Sequence, residues 1–112
     1  MGETDVRVVL VTAPSDEVAV ALSRTLVTER LCACVNRVPG LRSVYAWEGE
    51  LHDDAEVLLV IKTTDARVPS LTERIVEAHP YECPEVIVLP VVAGAAGYLD
   101  WVRGSVEAPG DD

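Results

Sequence analysis

Side chains that could bind a metal ion gather in the short segment from residue 79 to residue 85. His79, Cys83 and Glu85 offer an imidazole, a thiolate and a carboxylate, which together suit a borderline ion such as Zn(II) or Cu(II). In the alternative interpretation, His79 caps the end of a helix and Cys83 is a loop residue whose place is set by packing. The segment therefore predicts a metal site at His79, Cys83 and Glu85, and the structural role stays open as the alternative.

Two more soft ligands, Cys32 and Cys34, flank Ala33. Side chains alternate along a strand, so an extended segment would place both thiols on one face. Two thiolates there could hold Cu(I) or Zn(II), but a closed zinc site needs two more ligands and the sequence has no second paired-Cys motif. Cysteine is also among the residues most often buried, so packing is the alternative role for this pair.

The segment from residue 48 to residue 56 carries five carboxylates and His52. Carboxylate oxygens are ligands for hard cations, so this segment could hold such an ion weakly. The alternative is a solvated hairpin tip with no ligand.

Three other side chains have both a functional and a structural interpretation. Trp47 and Trp101 could stack on a ligand or pack in an interface between chains. Lys62 could reach an anion in a cleft between subunits, or remain an ordinary surface lysine.

Catalytic patterns are missing from the sequence. It contains no Ser-His-Asp order, no Gly-rich phosphate loop and no pair of acid–base carboxylates supported by a histidine. We therefore predict that the protein is not an enzyme.

Length and charge narrow the class of protein. The chain has 112 residues, and this length predicts one domain over residues 1–112 with an ordered core at about 6–106. Its net charge is −10. The polar residues 1–5 and the tail from Glu107 are expected to fray. We predict that so acidic a protein binds neither nucleic acids nor anionic membrane surfaces, because both are bound mainly through basic side chains.

The cysteine count and the hydropathy pattern bear on location. No apolar run approaches the 18 residues of a membrane-spanning helix, and the first residues lack the basic and apolar regions of a secretory signal. Three cysteines do not make a disulfide framework. We therefore predict a cytoplasmic protein in a reducing compartment.

Hydrophobic periodicity predicts the elements that position these side chains. The expected order is a strand near 6–12, a helix over 15–30, a long hairpin over about 32–62, a helix over 66–79, a strand near 86–91 and a short final helix. This βαββαβ order, with a C-terminal helix, predicts an α+β ferredoxin-like fold with an antiparallel sheet. Residues 6–11 and 56–62 are almost continuously apolar, so the first and third strands are expected in the sheet centre.

Two features predict self-association. Right-handed crossovers place both main helices on one face of the sheet, so most of the other face needs a cover. The hairpin arms also exceed the usual strand length of about 5–6 residues and must project beyond a core this small. We therefore predict an obligate homo-oligomer.

Six short segments in collinear order share the pattern of one known family, and the resemblance extends over about residues 6–106. They are Val9–Pro14, Leu31–Asn36, Val38–Gly40, Ser43–Gly49, Ile61–Thr64 and His79–Glu85, and Tyr98–Val102 also fits. The sequence resembles the CutA divalent-cation tolerance proteins. The resemblance implies a homotrimer similar to the P-II signalling proteins, with a role in tolerance to copper and other divalent ions.

The resemblance also implies a set of copper ligands, of which this sequence keeps only part. The family site is attributed to a Cys, a His and a Glu, and the matching positions here are Val11, Ala78 and Glu85. His79 and Cys83 are nearby substitutes, so we expect weak divalent-ion binding near Glu85, in a cleft between subunits. Two other functions stay open, namely a small-molecule sensor with clefts between subunits and a structural trimer scaffold.

Overall fold

A four-stranded antiparallel sheet with helices on both faces forms the fold in the computed structural model, which describes residues 3–107. The elements are β1 (Val6–Ala13), α1 (Asp16–Thr28), β2 (Cys34–Trp47), β3 (Glu50–Thr64), α2 (Val68–Ala78), β4 (Ile87–Pro90) and α3 (Ala96–Ser105), with a 3-10 turn at Asp65–Arg67 before α2. The strand order is β2-β3-β1-β4, which places β1 beside β3 in the sheet centre. The predicted ferredoxin-like α+β fold is confirmed.

The helices begin where the sequence supplies the right residues. The Ser15 side chain accepts a hydrogen bond from the Val18 backbone N–H at 3.2 Å, which caps α1. Pro69 lies in the first turn of α2, where a missing backbone N–H costs no helical hydrogen bond. Among the described residues, no helix has the length and apolar character needed to span a membrane.

Replacing Ser15 with alanine is expected to lower the free energy of unfolding by about 1 kcal/mol, because the Val18 N–H loses its acceptor. Urea denaturation of the variant would measure this loss. Ser70, exposed within α2, provides the control, since Ser70→Ala should change stability by less than about 0.5 kcal/mol. Equal effects of the two substitutions would contradict the capping role.

The main core lies between the sheet and the helices α1 and α2. Alternate residues of β1 and β3 point toward this side, because side chains alternate along a strand. The residues that form this core include Val9, Val11, Leu59 and Ile61 from the sheet and Leu22, Leu26, Leu71 and Ile75 from the helices, and each is at most 4% exposed.

The opposite side of the sheet is only partly covered. The helix α3 packs Leu99 and Val102 against Val6 and Ala33 at one end. The rest of this side, here termed the open face, consists of half-buried or exposed apolar side chains at Val8, Leu10, Leu58, Val60, Ile87 and Leu89. Ile87 and Leu89 are 46% and 41% exposed. The single chain therefore leaves apolar side chains of this face exposed, as the sequence predicts.

The β2–β3 hairpin projects beyond the core, as its length predicts. Its turn is Glu48-Gly49, where both residues have a positive φ, 52° and 81°. A bulge between Val38 and Leu41 shifts the pairing with β3 at Pro39-Gly40, and Gly40 has a φ of 85°. The resulting shape is elongated, with a radius of gyration of 14.9 Å against about 13 Å for a compact domain of this length.

The N-terminal segment is held to the sheet. The Thr4 backbone N–H donates to the Val91 carbonyl at 2.9 Å, and Arg103 donates to the Asp5 carboxylate at 2.7 Å. These contacts join Thr4 and Asp5 to residues distant in the sequence, and the prediction that residues 1–5 and the tail from Glu107 fray stays a prediction. Residues 1–2 and 108–112, which the same prediction covered, lie outside the described residues.

Candidate functional site

A pocket of about 540 Å³ lies where the outer half of the hairpin, the end of β1 and the loop after α2 meet. The hairpin contributes Tyr45, Trp47, His52 and Glu56, among others. The loop contributes Tyr81, Glu82, Cys83 and Glu85. Both groups of side chains come from one chain, and they meet beside Thr12 of β1.

His79 anchors the loop. It is the C-cap of α2, and its side chain is only 6% exposed. The Tyr81 backbone N–H donates to His79 Nδ1 at 3.1 Å, so the ring proton lies on Nε2, which donates to the Thr12 carbonyl at 2.8 Å. Both ring nitrogens are therefore engaged with backbone groups, which ties the loop to the end of β1.

Glu56 is the most buried charged side chain of the pocket, at 7% exposed. The Tyr81 hydroxyl donates to Glu56 Oε2 at 2.8 Å, which links the loop to β3. Burial, and next the hydrogen bond to Glu56, raise the pKa of Tyr81, so the phenol stays protonated and remains a donor. Sequence reasoning missed this pair, because Glu56 looked like the last carboxylate of a solvated acidic segment.

A second wall of the pocket consists of stacked rings. The rings of Tyr45 and His52 lie 5.0 Å apart between centroids with an interplanar angle of 13°. The Tyr45 hydroxyl donates to Asp54 Oδ2 at 2.6 Å, and this hydrogen bond, followed by burial, raises the pKa of Tyr45. Asp53 instead accepts from Arg42 Nε at 2.8 Å. Asp53 and Asp54 thus have separate partners, and within residues 3–107 the acidic segment provides no group of three ligands for one metal ion.

The three predicted metal ligands are placed differently from one another. Cys83 and Glu85 are exposed and line the pocket, whereas both ring nitrogens of His79 already have partners. No group of three or more His, Cys, Asp or Glu side chains in residues 3–107 is arranged to hold a metal ion. The site at His79, Cys83 and Glu85 stays a prediction, for which the single chain provides two available donors.

Two of the three positions that the resemblance implies as copper ligands are apolar in this chain. Val11 is fully buried in the main core, at 0% exposed, and Ala78 is the last residue of α2. Neither side chain carries an atom that can coordinate a metal. Of the three positions that the resemblance implies as copper ligands, Glu85 alone has a side chain with a ligating group.

Cys32 and Cys34 do not lie on one face, and that prediction is wrong. Cys32 precedes β2 and packs in the main core, whereas the Cys34 sulfur lies 3.5 Å from the Tyr98 hydroxyl of α3 on the other side of the sheet. Burial, with a smaller effect of Cys34, raises the pKa of the Cys32 thiol to about 12. Cys32 therefore stays a thiol at neutral pH, consistent with the packing alternative.

Of the other side chains predicted to contact a ligand, one lies in the pocket and two lie elsewhere on the surface. Trp47 lines the pocket and is 45% exposed. Trp101 lies on α3 beside Tyr98, with ring centroids 5.7 Å apart, and the Lys62 ammonium donates to the Asn36 side chain. Neither Lys62 nor Trp101 is part of the pocket.

Comparison with known proteins identifies close relatives. The model of the CutA1 divalent ion tolerance protein family matches residues 7–105. The "Divalent-cation tolerance protein CutA" of Thermus thermophilus is 53% identical over 96 residues, which are 86% of this chain and 93% of that protein. The human "Protein CutA" is 46% identical over 101 residues, which are 90% of this chain and 56% of that protein. None of these names states a catalytic activity.

Solved structures agree with the fold. The CutA1 structure from Thermus thermophilus has a TM-score of 0.88 and 50% sequence identity, covering 91% of this chain and 99% of that chain. The CutA structure from Xylella fastidiosa has a TM-score of 0.91 and 38% identity, covering 93% of this chain and 100% of that chain.

The prediction of a cytoplasmic protein is wrong. Relatives from Oryza sativa and Arabidopsis thaliana are named chloroplastic, and a structure from Archaeoglobus fulgidus is described as periplasmic. The error lies in the cysteine argument. Disulfides indicate an oxidising compartment, but a chain whose three cysteines are free needs no particular redox environment.

Proposed function

Since the chain belongs to the CutA1 divalent ion tolerance protein family, we propose that it acts in divalent-cation tolerance as a non-catalytic homotrimer that binds copper and similar ions weakly. The observation that carries the proposal is the pocket lined by Cys83 and Glu85, which combines the retained family ligand with a nearby soft donor.

The proposed metal site uses few protein donors. Glu85 supplies a carboxylate and Cys83 a thiol, while His79 supports both by holding the loop against Thr12. Two protein ligands leave most of the coordination shell to water. Such a site binds more weakly and discriminates less between Cu(II) and Zn(II) than a complete Cys-His-Glu set.

The proposed trimer would cover the open face and the sheet edges. Apolar side chains as exposed as Ile87 and Leu89 favour burial against another chain. The strands β2 and β4 are the sheet edges, and their unpaired backbone groups favour pairing between copies. The number three and the P-II-like arrangement are taken from the family resemblance.

Calorimetric titration with Cu(II) and with Zn(II) tests the metal proposal. We expect Glu85→Gln to weaken binding of both ions by about tenfold or more, because a neutral amide is a poorer ligand than a carboxylate. Cys83→Ser should weaken binding as well, since it removes the only soft donor of the pair. Glu73→Gln removes the same charge from an exposed position outside the pocket and should leave the affinities unchanged.

Two outcomes would contradict this proposal. Unchanged affinity in Glu85→Gln would remove Glu85 from the site. The absence of binding heat for either ion in the native protein would favour the structural scaffold instead.

A further inference from the structure

Glu56 carries a buried charge that no basic side chain compensates. Its side chain is 7% exposed, and its one hydrogen bond comes from the neutral Tyr81 hydroxyl to Oε2. Within residues 3–107, no Lys, Arg or His forms an ion pair with it. Among residues 3–107 no side-chain polar atom that lacks a hydrogen-bond partner is fully buried, so Glu56 Oε1 keeps some contact with solvent. Glu56 lines a pocket, and a cation in that pocket can reach this oxygen.

The walls around Glu56 are aromatic. Tyr45, Trp47 and Tyr81 border the same pocket, and Tyr45 is held in place by its stack on His52 and its hydrogen bond to Asp54. Aromatic rings attract ammonium groups through the negative potential of their faces. Rings are poor replacements for the water and oxygen ligands of a hard metal ion, so these walls favour an organic cation.

The size and charge of the pocket also favour an organic cation. Its volume of about 540 Å³ lies within the range of about 300–1,000 Å³ that is usual for small-molecule sites. Three carboxylates line it, at Glu56, Glu82 and Glu85, and no Lys or Arg is among its described lining residues. The pocket therefore repels anions and is larger than a bare ion needs.

We propose that this pocket binds a small primary alkylammonium ion, with the ammonium group at Glu56 and the alkyl chain against the aromatic wall. A primary ammonium has three N–H donors, and Glu56 Oε1 has no hydrogen-bond partner among residues 3–107. The proposal goes beyond metal binding because it assigns the ammonium group to Glu56, which is not one of the proposed metal ligands.

Titration of the full-length protein with n-butylammonium chloride at pH 7 tests the proposal. We expect measurable binding, with 1-pentanol, an uncharged compound of similar length, binding at least about tenfold more weakly. Glu56→Gln keeps the shape of the side chain and removes its charge, so it should weaken butylammonium binding by about 30-fold. Glu73→Gln, with the same charge removed outside the pocket, should bind as the native protein does.

Glu85→Gln separates this proposal from the metal site. It should weaken Cu(II) and Zn(II) binding by about tenfold or more but weaken butylammonium binding much less than Glu56→Gln does, because the carboxylate that binds the ammonium group remains. Equal binding of the alcohol, or unchanged amine affinity in Glu56→Gln, would overturn the proposal. NMR titration of the native protein gives a test without any variant. The resonances of Tyr45, Glu56 and Tyr81 should shift with butylammonium, and their failure to shift would also overturn it.

Discussion

Replacing Ile75 with alanine is expected to lower the free energy of unfolding by about 2–5 kcal/mol, measured by urea denaturation. Ile75 is 0% exposed and lies in the core between α2 and the sheet, so the substitution leaves a cavity that the surrounding side chains fill only in part. Because assembly and folding are linked in an oligomer, native and variant proteins must be compared at the same concentration.

The adjacent residue provides the control for this prediction. Val76 follows Ile75 on α2 but is 50% exposed, so Val76→Ala should change stability by less than about 0.5 kcal/mol. A loss below about 1 kcal/mol for Ile75→Ala would show that α2 does not pack on the sheet as described.

Replacing Val60 with aspartate is expected to dissociate the proposed trimer. Val60 is half-buried at the centre of the open face, beside Leu10 of β1. In a free chain the new carboxylate can reach water, whereas in a trimer covering this face it would be buried without a partner, at a cost of several kcal/mol. Light scattering should therefore give about 36 kDa for the native protein, three chains of 12.1 kDa, and no such species for the variant.

Val76→Asp is the matched control for dissociation. It introduces the same charge at an exposed apolar position on the helical side of the sheet, and it should keep the native mass. A variant with aspartate at Val60 that retains the trimeric mass would exclude the open face as the interface.

Much of the fold could be predicted because it depends on local signals. The almost continuous apolar runs of β1 and β3 indicated central strands, and the two are paired from Val6↔Thr64 to Ala13↔Val57. The bulge at Pro39-Gly40 and the turn at Glu48-Gly49 also depend on local residues, because glycine favours the positive φ that both positions adopt. Helix and strand ends differ from the prediction by one or two residues at most of the boundaries, as at α1, predicted over 15–30 and observed at Asp16–Thr28.

The pocket could be predicted only in part because its contacts are not local. Glu56 and Tyr81 are 25 positions apart, and nothing in their neighbouring residues indicates that one accepts a hydrogen bond from the other. The position of Glu56 in the sequence could have indicated its burial. Glu56 begins the apolar run of β3, and a carboxylate there is more easily buried than one at the tip of the hairpin. The alternative role of His79 as a helix cap agrees with the structure. The hydrogen bond from its ring to the Thr12 carbonyl could not be predicted, because it depends on how β1 lies against the loop.

The cysteines illustrate the limit of periodicity. The alternation of side chains applies only within a strand, and β2 begins at Cys34, so Cys32 lies outside the pattern that was applied to it. The bend before β2 turns Cys32 into the core and leaves Cys34 beside Tyr98.

The loop after α2 is anchored to the sheet and carries the two proposed metal ligands. His79 ties it to β1 and Tyr81 ties it to β3, so Cys83 and Glu85 are carried by a segment with defined anchors. Fixed supports of this kind orient ligating side chains and limit the reorganisation needed when an ion binds.

A crystal structure of the native protein grown with Zn(II), with the ion located by its anomalous scattering, would show directly whether Glu85 binds a metal ion. We expect a Zn(II) ion about 2.0–2.2 Å from a Glu85 carboxylate oxygen, in a trimeric assembly. An ion bound only at other donors, such as Cys34 or His52, with no ion at Glu85, would contradict it.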